Sequence, residues 1–254
     1  MSRFDFPTDD GTISVMRWAP AQSAMPDGQK PILHWAHANG FNAQTYDKLL
    51  APLAAHIDIF AADARGHGLT NLPCDPHRMT GWHIYCDDMV PLVEKLAAQA
   101  GAKIWLGGHS MGGCVSVLLA AKRPDLVAGL VLADPVIVPY IPRWLMRLYG
   151  FLKPTSHIAA LTQMSAKRRR DWPDAATIEA AYAGRGAFAT WQAGFLPDYL
   201  AGGLHPITQD DAGNKVRLAC APQWEAANFL GPQINAAKAV KKLQTPFTLL
   251  MAQT

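Results

Sequence analysis

Charge of either sign is scarce in this 254-residue chain. Asp, Glu, Lys and Arg together make 17% of it, with 23 Lys and Arg against 20 Asp and Glu. A net charge of +3 is too small a basic surplus for a nucleic-acid partner. Cysteine is scarce too: Cys74, Cys86, Cys114 and Cys220 are too few for a disulfide scaffold and read as reduced thiols of a cytoplasmic protein. The opening Met1-Ser2-Arg3-Phe4-Asp5 lacks the basic-then-apolar order of a secretory leader. No Gly-x-Gly-x-x-Gly or Gly-Lys-Ser/Thr phosphate loop occurs, and no cofactor is expected. Residues 104–121 carry no charged side chain, but four glycines, two serines and His109 lie among them. A strand, a tight turn and a buried helix explain that stretch better than a membrane span.

What is present is apolar material: hydrophobic residues make 50% of the chain, enough for a sizeable core. Residues 12–18 alternate as a half-buried strand does, and 20–28 form a turn-rich linker. Residues 31–36, 57–62, 103–106 and 128–133 read as buried strands. Between them, 43–55, 80–100 and 111–122 have helical spacing. Tyr46, Leu49, Leu50 and Leu53 share one side of the first helix, and Thr80 is the expected N-cap of the second. Strand and helix thus alternate, which predicts an α/β fold: a mainly parallel, doubly wound sheet with helices on both faces. From residue 135 to 242 the pattern becomes helical, with no clear strand and many aromatics; 144–152, 178–182 and 188–195 look helical. Residues 246–252 then read as a strand again. The expected division is a core of 1–134 and 243–254 with a helical cap at 135–242.

Gly108-His109-Ser110-Met111-Gly112 sits between a predicted strand and a predicted helix. A serine on so sharp a turn is held in a strained backbone with its hydroxyl above the sheet, and the flanking glycines let the turn pack. The following helix N-terminus offers free N–H groups to a developing oxyanion. With His37-Ala38-Asn39-Gly40 and Asp63-Ala64-Arg65-Gly66-His67-Gly68 upstream, in that order, the chain resembles the α/β-hydrolase superfamily in its serine hydrolase branch. The resemblance covers about residues 10–135 well, and 246–254 by position only. It implies Ser110 as nucleophile, with the backbone N–H groups of Asn39 and Met111 as the oxyanion hole. A serine here argues against the family's dehalogenases and epoxide hydrolases, which use aspartate.

The serine needs a base, and the base an orienting acid. In this fold the chain order is nucleophile, acid, histidine. Asp134, at the end of the fourth buried strand, is the candidate acid; its other reading is a turn former before Pro135. The family's histidine follows one further strand, and this sequence has none there: its last histidine is His205. His37 is expected to hold its loop by hydrogen bonds and, with Trp144, to touch substrate. His67 reads as part of a turn, and His109 points away from its neighbour Ser110. The expectation is a chain lacking its C-terminal end, where a loop, a helix, a histidine-bearing strand and a last helix would follow, with the 246–252 strand left as a bare sheet edge.

Cys74-x-x-His77 and His83-x-x-Cys86 faintly suggest zinc, but a usual ligand spacing is missing and no metal is expected. Lys167-Arg168-Arg169-Arg170 reads as a solvated face. The aromatics between 140 and 199 either line an apolar substrate pocket or form the cap's own core. Glu225 is a candidate polar contact at the cap hinge. Two functions follow. One is a serine hydrolase acting on a small, apolar ester or related acyl compound through an acyl-enzyme, with no cofactor. The other is a non-catalytic binding protein of the same fold, or an inactive fragment.

Overall fold

The computed structural model describes residues 1–20, 31–137, 144, 145, 148, 152, 157–208, 213–230 and 236–252. In chain order the strands are β1 Ser2–Thr8, β2 Gly11–Trp18, β3 Ile32–Ala36, β4 Asp58–Ala62, β5 Ile104–His109, β6 Val127–Ala133, β7 Asp171–Trp172, β8 Leu204–Pro206, β9 Val216–Leu218 and β10 Phe247–Leu250. The helices are α1 Asp47–Leu50, α2 His83–Ala100, α3 Met111–Lys122, α4 His157–Ala166, α5 Ala175–Tyr182, α6 Phe195–Gly203, α7 Pro222–Phe229 and α8 Ala236–Lys242.

Seven strands form the main sheet in the order β1-β2-β4-β3-β5-β6-β10. The β1–β2 and β2–β4 pairs are antiparallel and the other pairs parallel. Period-2 alternation divides the side chains between two cores. Ile13, Val15, Ile32, Phe60, Ile104 and Leu106 join α2, α3 and α8 on one face. Met16, Leu33, Trp35 and Ile59 join Tyr46 and Leu50 on the other. Burial on both faces is why these strands read as continuous apolar runs.

Several sequence expectations shift. The edge strand β1 is absent from the sequence reading. The helix at 43–55 is split into a 3-10 turn (Ala43–Tyr46), one α turn and a second 3-10 turn (Ala51–Ala55). Leu49 and Leu53 therefore face solvent, while Tyr46 and Leu50 stay buried. Helix α2 begins at His83 with Trp82 as its cap, not Thr80, whose hydroxyl meets the His83 ring instead. The linker 20–28 lies, after Pro20, outside the described residues.

The stretch after residue 135 holds strands as well as helices. β7, β9 and β8 form a small antiparallel sheet. They are two or three residues long, too short to leave a periodic signature. The helix expected at 188–195 is a 3-10 turn at Gly186–Phe188 followed by a helix that only starts at Phe195. Most of 144–152 lies outside the described residues. Ile178, Leu196, Tyr199, Leu200 and Leu218 make a third buried cluster. By contrast, Trp224, Ala227, Ala236 and Ala239 belong to the main core. The expected cap boundary at 242 thus falls inside that core.

Candidate active site

Ser110 is the hinge between β5 and α3. Its φ of 53 and ψ of −113 lie in a region that costs a non-glycine residue roughly 1–3 kcal/mol. The surroundings enforce this conformation. Ser110 N–H donates to the Ala133 carbonyl at 2.9 Å, and Val136 N–H donates to the Ser110 carbonyl at 3.2 Å. A Cβ on Gly108 would lie 2.5 Å from the Gly112 carbonyl carbon, and one on Gly112 would strike the carbonyls of Ala36 and His37. Both glycines are therefore required by close backbone approach, and they bring the elbow against the end of β3.

The loop after β3 carries three successive amides toward the elbow. Ala38 N–H donates to Tyr46 Oη at 3.0 Å, and Gly40 N–H donates to His67 Nε2 at 3.1 Å. Among the described residues, the Asn39 and Met111 N–H groups have no partner. They are the two donors that the resemblance implies for the oxyanion hole.

Two histidines fix the loop from below. Ala64 N–H donates to His37 Nε2 at 2.9 Å, so His37 carries its proton on Nδ1 and donates to the Ala38 carbonyl at 2.7 Å. The same logic gives His67 an Nδ1 proton, donated to the Arg65 carbonyl at 3.0 Å. Burial lowers the pKa of His37, and takes that of His67 down to about 3. Both rings are neutral at pH 7. His37 is therefore a loop support with both nitrogens engaged, not a substrate contact. Trp144, the other expected contact, is 68% exposed.

From above, the same loop is held by Glu225, the expected polar contact at the cap hinge, and by Tyr199, a partner that sequence alone does not reveal. Asn39 Nδ2 donates to the Glu225 carbonyl at 3.0 Å, and Asn42 Nδ2 to the Tyr199 carbonyl at 2.8 Å. The Glu225 side chain lies against Gly40, whose φ is +76. Its carboxylate accepts from Arg168 at 2.6 Å and from Ser165 Oγ at 3.1 Å. Arg168 also donates to Tyr199 Oη at 2.7 Å and Tyr182 Oη at 3.1 Å. Burial pulls the Arg168 pKa down, but Tyr199 and Glu225 outweigh it and the net shift is upward. One member of the basic run is thus a half-buried ion-pair partner. Arg169 instead lies over the Trp172 ring.

Asp134 also has positive φ, +40. Its carboxylate accepts from Ala252 N–H, at 3.1 and 3.3 Å to its two oxygens, and its own N–H donates to the Leu250 carbonyl. It ties the exit of β6 to the end of β10. A cavity of about 440 Å³ opens beside the elbow, with His109, Ala133 and Asp134 on its wall. Trp35, Phe41, Thr45, Tyr46 and Leu49 from the core side and Trp191, Gln192 and Phe195 from the other complete it. The inserted aromatics thus serve both roles, since Tyr182, Phe188 and Tyr199 pack among themselves. A larger hollow of about 610 Å³ beside the Arg65–Asp88 pair shares no lining residue with the elbow.

No described histidine side chain bonds to Ser110. His34, His37 and His67 are buried in the core or under the loop. His56, His77 and His83 are exposed on other elements. His205 Nε2 bonds the Gly68 carbonyl, and His109 Nδ1 is engaged with Tyr46. The His157 side chain lies outside the described residues. The suggested zinc ligands do not converge: Cys86 is in the core while His83 and Cys74 are exposed. Among the described residues, no helix is long and apolar enough to cross a membrane.

Residues 28–195 match the family model for serine aminopeptidase, S33. A 2-(acetamidomethylene)succinate hydrolase of Mesorhizobium japonicum is 37% identical over 116 residues, 45% of this chain and 38% of that protein. The human monoglyceride lipase is 31% identical over 113 residues, 43% of this chain and 36% of that protein. The matched stretches thus span little more than a third of these relatives' own length. The crystal structure of E-2-(acetamidomethylene)succinate hydrolase superposes with a TM-score of 0.71, covering 98% of this chain and 80% of that one at 24% identity. At that identity the likeness shows the fold.

Proposed function

The chain belongs to the serine aminopeptidase S33 family of α/β hydrolases, and from that premise we propose that it is a serine hydrolase attacking an ester or related acyl carbonyl through Ser110. The observation that carries the reading is the enforced strain at Ser110: a non-glycine φ of 53 between two glycines that the packing requires. Ser110 Oγ bonds to the carbonyl carbon and gives up its proton. The carbonyl oxygen becomes an oxyanion facing the Asn39 and Met111 N–H groups. The bond to the leaving group breaks, that group takes up a proton, and water then releases the acyl group from the serine. The words hydrolase and lipase in the relatives' names support a hydrolytic outcome. The aromatic walls of the cavity support a small, apolar acyl substrate.

Asp134 is the acid in this reading, and no described histidine serves as base. Loss of a triad member costs up to about 10⁶-fold in rate, with roughly 10³–10⁴ over water left to the oxyanion hole and binding. With no described histidine in that role, slow acylation is the expected behaviour. In this reading the cap expected at 135–242 supplies Trp191, Gln192 and Phe195 to the cavity wall. The second reading, a binding protein of this fold, is favoured by the unassisted Ser110 hydroxyl.

Prolonged incubation with a fluorophosphonate, followed by peptide mapping, tests the proposal. Modification of Ser110, absent in Ser110→Ala, is the expected result. An unmodified Ser110 in folded protein overturns it in favour of the binding reading.

A further inference from the structure

The cavity beside the elbow has one polar atom whose direction follows from the hydrogen bonds around it. Tyr46 Oη accepts from Ala38 N–H at 3.0 Å and lies 2.9 Å from His109 Nδ1. Tyr46 is buried, and its hydroxyl proton has no other acceptor among the described residues. It therefore goes to His109 Nδ1, which leaves the His109 proton on Nε2. That nitrogen has no partner among the described residues, yet it is not one of the buried orphan polar atoms. It faces open space, and His109 lines the cavity. Burial lowers the His109 pKa, with Asp134 opposing, so the ring is neutral and presents a single N–H.

Two further polar groups on the wall are committed, while the exposed Gln192 amide and the buried, unpartnered Trp35 Nε1–H are other donors there. Thr45 Oγ1 accepts from Asn42 N–H, and Asp134 is held by Ala252 N–H. No Lys or Arg stands among the described lining residues, and one carboxylate, Asp134, does. An anionic ligand entering here meets a like charge and no counter-charge. Beside Leu49, Ala133 and Gln192 the rest of the wall is aromatic: the Phe41 ring lies edge-on to Trp191 at 5.3 Å and tilted to His109 at 6.0 Å. Such walls favour a further ring in the same edge or offset geometry.

We propose that this cavity binds neutral, aryl-bearing acyl compounds with a second oxygen that accepts a hydrogen bond from His109 Nε2–H, and that it rejects carboxylates. His109 is then a specificity-determining residue beside Ser110. The word acyl rests on the reading of Ser110; the binding does not.

Binding is measured by quenching of tryptophan fluorescence, since Trp35 and Trp191 lie on the wall. Three probes share a body: 4-phenyl-2-butanone, 3-phenylpropanoate and butylbenzene. The ketone is expected to bind about tenfold tighter than either of the others, the difference one hydrogen bond supplies. His109→Phe removes that preference over butylbenzene, and His109→Gln, which keeps a donor, retains most of it. Tyr46→Phe, which frees the ring tautomer, weakens the ketone in the same direction by about threefold, and serves if His109→Phe fails to fold. Equal or tighter binding of the carboxylate, or an unchanged ketone preference in the folded variants, overturns the proposal. Because no turnover is read, ketone binding with an unmodified Ser110 overturns only the catalytic reading. A modified Ser110 with no ketone preference overturns only this one.

Discussion

The loop at residues 37–42 and the strand β10 flank the same elbow and are held in opposite ways. The loop is tied from the core by His37, His67 and Tyr46, and from the insertion by Glu225 and Tyr199. Strand β10 has all four residues exposed and, among the described residues, pairs with β6 alone. At its end, Asp134 accepts one N–H in an exposed position. The oxyanion side of the site is thus over-determined, and the acid side is held by Asp134's bonds to Ala252 and Leu250 at an exposed sheet edge. Preorganised donors are where electrostatic catalysis gains most, because they need no reorganisation as charge develops. The tight side is therefore also the one whose disturbance costs most.

The comparison breaks first at Gly112. Gly112→Ala drives a Cβ into the carbonyls at the end of β3 and pushes the Met111 N–H from its place. Ser110 phosphonylation should slow by roughly 10²–10³-fold, the cost of one oxyanion donor. A rate within a few-fold of the parent would show that the elbow tolerates slack.

Arg168→Met comes next. It leaves the Glu225 carboxylate buried without its partner, which costs about 3–5 kcal/mol. Urea unfolding monitored by fluorescence reads this, and Arg168→Met with Glu225→Gln should recover much of it. The exposed Arg217–Asp171 pair is the control, and Arg217→Met should leave the urea midpoint in place.

A third effect is a pH dependence. His67 and His34 have folded-state pKa values lowered to about 3 and about 4 by burial, and His37 is lowered too. A depressed pKa means that the unfolded chain binds more protons. Stability is therefore full above the ordinary imidazole value of about 6.5 and drains as pH falls toward about 3. Each histidine contributes a slope of roughly 1.4 kcal/mol per pH unit inside its window. Stability measured from pH 7 downward should show this slope, and His67→Gln should flatten it. A profile level down to about pH 5 would count against buried neutral rings.

The smallest effect belongs to the acid side. Asp134→Asn should change stability by no more than about 0.5 kcal/mol, as an exposed substitution does. With no described histidine to orient, it should leave the rate of Ser110 phosphonylation within about twofold. A large loss would promote Asp134 to a structural or catalytic anchor.

The elbow was legible because its demands are local: a strand's apolar run, two glycines around a serine, and a helix of small residues all lie within residues 104–122. The alternating core strands were legible for the same reason. Strand β1 was not, since Arg3, Asp5 and Pro7 break up its pattern at an exposed edge. Nor was the Arg168–Glu225 pair. Its partners stand 57 residues apart, and a basic run resembles a solvated face unless the tyrosines and the carboxylate around it are known. Glu225, between Trp224 and Ala226 in a largely apolar helix, was the one available signal. Thr80 failed as a cap because the chain makes one further turn before α2 begins. The loop amides were unreadable in sequence, since which of three successive N–H groups stays free depends on Tyr46 and His67.

Ser110 is preorganised, and no described histidine side chain bonds to it. The rate of Ser110 phosphonylation as a function of pH tests it most directly. The expected rate climbs steadily from about pH 6 to about pH 9, as hydroxide takes the serine proton. A rate that levels off around an imidazole pKa near about 6.5 would contradict it, because a base would then be at work on Ser110.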